Sequence, residues 1–145
     1  MGRTIIQIYE VQKPKEAEAL IDLGVDHIGS VLTDQNKWSN AALRKTGQVI
    51  RQAGAKSGLI LLFKDPIKIF QAIDYYQPDF VHCCEALSPF PGDQAAVVRE
   101  YDALLSLQLD LKDRFPQVEI MRSLSVPQAG LSLSRDIQEN ILRFA

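Results

Sequence analysis

The residues best equipped for chemistry stand together at His82-Cys83-Cys84, with the second histidine of the chain, His27, on an earlier segment of similar character. Imidazole and thiolate suit zinc, which takes four tetrahedral ligands, or three and a water. Consecutive residues on a strand point to opposite faces, so this run offers only alternate members to one ion, and no metal is expected. A nucleophilic thiol needs a depressed pKa, for which Arg122 or Lys37 would supply the field; otherwise the pair are small strand residues. Tyr9 is either a phenol facing a ligand or a packing residue, and Lys37 and Arg122 are anion contacts or solvated charges. Glu85 follows the His-Cys-Cys run, at the end of a strand where catalytic groups sit in β/α barrels, though surface glutamates are common. Trp38 is expected to pack on an adjoining helix rather than stack on a ligand.

The elements that position these groups repeat one pattern. Across Ala17 to Leu32, Ala17, Leu20, Ile21 and Leu23 recur at helical spacing, Gly24 can take the left-handed turn that stops a helix, and Ile28, Val31 and Leu32 read as strand. In order, the chain predicts strand one at Thr4 to Tyr9, a helix from Pro14 to Leu23, and strand two at His27 to Leu32. A polar loop, Thr33 to Lys37, leads to a helix capped by Ser39 or Asn40 and closed by Gly54. Strand three, Ser57 to Phe63, is apolar on both faces, and Asp65-Pro66 then starts a helix with a capping carboxylate and a first-turn proline. Strand four is Asp79 to Cys84. A long helix capped near Asp93 ends before Pro116, although Leu105, Leu107, Leu109 and Leu111 alternate as a strand would. Strand five is Val118 to Leu124, and a last helix runs from Asp136 to Phe144.

Composition fits one soluble α/β domain over residues 1–145. A net charge of −2 with interspersed signs leaves no basic patch for nucleic acid. The longest apolar run, Leu59 to Phe63, falls far short of the roughly 20 residues that span a bilayer. No signal peptide or myristoylation pattern is evident at the start. Adjacent cysteines cannot build a long-range disulfide framework, so a reducing cytoplasm is the expected setting.

Five strands each followed by a helix imply parallel pairing with right-handed crossovers. At about 29 residues per unit, eight units would need about 230 residues, within the range of a (β/α)8 barrel, and the chain would hold five. The alternative is a five-stranded doubly wound sheet. The sheet's apolar strands carry Gln7, Tyr9 and His82, which suit a barrel lumen better than a face covered by helices, and this favours the partial barrel.

The segment IIQIYEVQKPKEAEALIDLGVDHIGSVLTD, the Lys37-Trp38-Ser39 segment, SGLILLF and DFVHCCE resemble the first four β/α units of phosphoribosylanthranilate isomerase, an eightfold barrel of tryptophan biosynthesis. EIMRSLSV, from Glu119 to Val126, resembles that family's fifth strand. The resemblance implies an intramolecular oxidoreductase ancestry, in which a base takes the C2 proton of an aminoaldose phosphate and an acid opens the ribose ring. No cofactor is implied.

By that resemblance Gln7, Tyr9 and Glu10 stand where the family reads lysine, cysteine and glycine at the end of strand one, the cysteine being the base. A tyrosine replaces it poorly near neutral pH, with a reference pKa of about 10 against about 8.5. Tyr9, Glu10 and Cys84 are therefore the candidate catalytic positions, Cys84 standing where the family has histidine. Gln7, Lys37, His82 and Arg122 are the candidate substrate-binding positions, Arg122 standing for a strand-five lysine. The family's acid on strand six and the phosphate loops after strands seven and eight have no counterpart within these five units. Two expectations follow: binding of a small phosphorylated sugar, with or without turnover, or service as a non-catalytic interaction module. An incomplete barrel has open edges. With Leu59, Leu61 and Phe63 read as lining its inner face, self-association covering that face is expected.

Overall fold

The computed structural model describes residues 3–84 and 94–123. Its elements are β1 (Gln7–Ile8), α1 (Pro14–Asp22), β2 (His27–Leu32), a 3-10 turn (Gln35–Lys37), α2 (Ala41–Gln52), β3 (Lys56–Leu61), α3 (Pro66–Tyr76), β4 (Phe80–Cys83), α4 (Gln94–Arg114) and β5 (Glu119–Arg122). The expected cap near Asp93, the placement of Glu85 and the helix from Asp136 to Phe144 lie outside the described residues.

Local chemistry sets most boundaries. Pro14 opens α1, and Glu16 Oε2 accepts from the amides of Gln12 and Lys13, both at 3.1 Å. Asn40, not Ser39, caps α2: its Oδ1 accepts from Ala42 N at 2.9 Å and Leu43 N at 3.1 Å. Asp65 does the same for α3, with Pro66 at its first position. Gly24 leaves α1 at φ 81°, and Gln77 ends α3 at φ 49°.

The leucine alternation in α4 resolves as helix. Leu107, Leu111 and Phe115 turn toward the sheet at helical spacing, while Leu109 is exposed.

The sheet is parallel throughout, in the order β1-β2-β3-β4-β5. A doubly wound sheet reverses its strand order at a switch point, and this sheet has none, so the architecture is the partial barrel type. Two strands, β2 and β4, are also tied to their predecessors by the same clamp. Asp26 N donates to Ile6 O at 3.0 Å while its Oδ2 accepts from Ile6 N at 2.9 Å. Asp79 repeats this on Ser57, with Asp79 N to Ser57 O at 2.8 Å and Ser57 N to Asp79 Oδ2 at 2.7 Å.

One face of the sheet carries the core. Ile28 packs with Val11, Ala17, Val25 and Ile50 beneath α1 and α2, and Leu32, Leu59 and Val81 pack with Ile69, Ile73, Leu111 and Phe115 beneath α3 and α4. This corrects the expected lining of the inner face. Leu59, Leu61 and Phe63 belong to the helix-facing core, and period-two alternation leaves Gly58, Ile60 and Leu62 to the concave side. β1 is also shorter than Thr4 to Tyr9, because only Gln7 and Ile8 pair with β2.

Candidate functional site

The concave face is shaped by two close approaches. A Cβ on Gly29 would lie 2.5 Å from Tyr9 Cδ1, and one on Gly58 would overlap the Phe80 ring. Each glycine makes room for an aromatic ring from a neighbouring segment, so Tyr9 and Phe80 lie close against the sheet. Phe80 fills the floor with its ring 5.6 Å from that of His27. At the amino end of the strands Lys56 and Glu119 form an ion pair at 2.6 Å between β3 and β5.

Above this floor the groups converge. Gln7 Nε2 donates to Tyr9 Oη, and the Tyr9 hydroxyl donates to Met121 Sδ at 3.1 Å. The Tyr9 and His82 rings are 5.5 Å apart, and His82 Nε2 lies 3.1 Å from Ser123 Oγ. Sheet curvature thus brings β1, β4 and β5 to one point, although β1 pairs only with β2. His82 Nδ1 and His27 Nδ1 are buried and find no hydrogen-bond partner among the described residues.

The electrostatics of this cluster are those of neutral groups. Burial pushes the Tyr9 phenol above its ordinary value, the nearby Cys84 adds to the rise, and the Gln7 hydrogen bond opposes it. Burial lowers His82 and raises Cys84. Near neutral pH the cluster is a phenol, an uncharged imidazole and a thiol, all able to hydrogen-bond and none carrying charge.

Of the residues singled out from sequence, Gln7, Tyr9, His82 and Cys84 share the concave side. Glu10 is exposed just past β1, at φ 66°, a backbone conformation that favours glycine. Lys37 is exposed at the end of the 3-10 turn that follows β2. Arg122 is in register with Cys83 and alternates with Met121, which places it on the helix-facing side, half-buried.

Trp38 packs edge-on against Tyr75 of α3 at 5.7 Å. Sequence reasoning missed Ser123, whose signal was its position two residues beyond Met121 on the same face. No group of three or more His, Cys, Asp or Glu side chains able to hold a metal occurs among the described residues.

The parallel, singly wound five-stranded sheet with helices on its outer face defines an α/β fold of the partial barrel type. It is similar to the solved structure of N-(5'-phosphoribosyl)anthranilate isomerase from Pyrococcus furiosus, with a TM-score of 0.57 and 16% identity. The match covers 98% of this chain and 60% of that one, so the chain spans about 60% of that protein's length. No family model and no curated protein sequence matches the chain.

Proposed function

We propose that the concave face binds a small phosphorylated sugar and does not isomerise it. The observation that carries this reading is the convergence of Gln7, Tyr9 and His82 at the point where β1, β4 and β5 meet, with burial disfavouring the charged forms of Tyr9, His82 and Cys84. Abstraction of a carbon-bound proton calls for a base poised near the working pH. A phenol and a thiol with raised pKa values are poor bases at pH 7, and His82, lowered and held against Ser123, is a weaker base than an ordinary imidazole. The same groups, with Gln7, offer the neutral donors and acceptors that sugar hydroxyls take. Lys37 follows β2 at the carboxyl-end rim, where β/α barrels bind ligands, and is the group assigned to the phosphate.

Calorimetric titration with ribose 5-phosphate tests the reading: saturable binding is expected, weakened about tenfold in Tyr9→Phe by loss of one hydrogen bond. The purified chain is expected not to turn over phosphoribosylanthranilate. A measurable rate abolished by Tyr9→Phe or Glu10→Gln would overturn the non-catalytic assignment.

A second reading concerns the edge of the sheet. Ile5 and Ile6, just before β1, and Ile8 within it are 63%, 47% and 37% exposed, and β1 pairs on one side only among the described residues. We propose that a second copy of the chain covers this edge. Sedimentation should show a dimer that Ile6→Lys dissociates. A monodisperse monomer that binds no hydrophobic dye contradicts it.

A further inference from the structure

The helix-facing side of the sheet contains a cavity of about 220 Å³ between the carboxyl ends of β3 and β4 and the helix α4. Its walls are Leu61 and Phe63, Val81, Ile69 of α3, and Leu104 and Leu107 of α4. Lys64 and Glu100, paired at 3.9 Å and both largely exposed, stand at its opening, and His82 and Cys83 are part of its lining. Protein interiors seldom leave voids larger than a water molecule, because the surrounding atoms forfeit dispersion contacts.

Size and lining together select the occupant. An apolar cavity of about 150 Å³ stays dry and accepts benzene, so the present volume has room for a ring with a short alkyl chain. Lys64 and Glu100 answer each other's charge at the opening, so a charged ligand among the apolar walls would gain no net counter-charge, which is costly. The thiol of Cys83 is a soft group compatible with an aromatic edge. We propose that this cavity is a binding site for a small neutral aromatic molecule of alkylbenzene size, opening toward α3 and α4 and sharing His82 with the Tyr9 cluster; it does not rest on the sugar-binding reading.

Ethylbenzene is the probe, followed by methyl NMR of the full chain. Saturable shifts are expected at the methyls of Leu61, Val81, Leu104 and Leu107, with Ile28 and Ile50 in the other core cluster unmoved. Ala103→Trp, which fills the cavity from its α4 wall, should abolish the shifts while leaving Tm unchanged or higher. If that variant does not fold, Leu107→Phe serves the same purpose. Alkylation of Cys83 in the unaltered chain should slow about threefold at an ethylbenzene concentration twice its dissociation constant, with Cys84 unaffected. Absence of saturable shifts, equal shifts at Ile28 and Ile50, binding that survives filling, or protection of Cys84 in place of Cys83 would each overturn the proposal.

Discussion

Replacing Gly58 with alanine sets a methyl group against the ring of Phe80. The added Cβ would meet Cζ, Cε2 and Cε1 of that ring, the last at 2.9 Å. Phe80 is 2% exposed, and the His27 ring 5.6 Å away limits how far it can swing. Overpacking of this kind costs about 2–3 kcal/mol, near the upper end of its usual range. Against this, alanine in a strand gains about 0.5–1 kcal/mol over glycine through a less flexible unfolded chain. The net expectation is a loss of about 1–2 kcal/mol, which for a chain of this size lowers Tm by about 3–7 °C. Denaturant unfolding of Gly58→Ala, Phe80→Leu and the double variant closes a cycle. The smaller leucine should relieve the clash, with a favourable coupling of about 1 kcal/mol or more between the two sites. A stabilised Gly58→Ala, or two effects that simply add, would refute the seating of Phe80 over Gly58.

Three further outcomes are expected. Tyr76→Phe removes a hydroxyl that donates to Trp38 O and accepts from Asn40 N, both at 2.9 Å, and should cost about 1–3 kcal/mol in denaturant unfolding by leaving both backbone groups without that partner. Because burial holds His82 below its unfolded value of about 6.5, the unfolded chain binds the proton more readily, so stability should fall as pH drops through about 6.5 toward the folded pKa. Tm profiles between pH 7.5 and 5.5, on the order of one unit either side of that value, should be flatter in His82→Gln. Glu10→Gly should raise stability by about 0.5–1 kcal/mol in the same unfolding assay, since glycine accepts the φ of 66° without the left-handed penalty; a loss would show that the Glu10 side chain does more than occupy a turn.

The boundaries written in single residues were readable from the chain. Pro14, Gly24, Asn40 and the Asp65-Pro66 pair each act through their own ring, backbone or capping side chain, so they fix helix ends without reference to the rest of the molecule. The direction in which β3 faces was not readable. Leu59 and Leu61 alternate with Ile60 and Leu62, and a strand apolar on both faces gives periodicity no means of telling core from lumen. That choice depends on the helices that lie against the sheet. Gln7, Tyr9 and His82 stood out because they are polar residues on apolar strands. Their meeting with Met121 and Ser123 depends on the curvature of the whole sheet, which no local pattern encodes. Arg122 shows the converse, since its type suggested a site while only the register with Cys83 told which side of the sheet it occupies.

The paired clamps of Asp26 on Ile6 and Asp79 on Ser57 bear on how such a chain can be recombined. Each aspartate holds both the amide and the carbonyl of one residue on the preceding strand, so a slip of a single residue would break both bonds and reverse the facing of every side chain. The key to alignment therefore travels with the incoming strand. A crossover between related chains placed just before Asp26 or Asp79 delivers a unit that carries its own key and needs from its host only a free backbone amide and carbonyl. A crossover placed just after either aspartate takes the key from the host instead, and the incoming strand, joined to it through the chain, inherits the host's register.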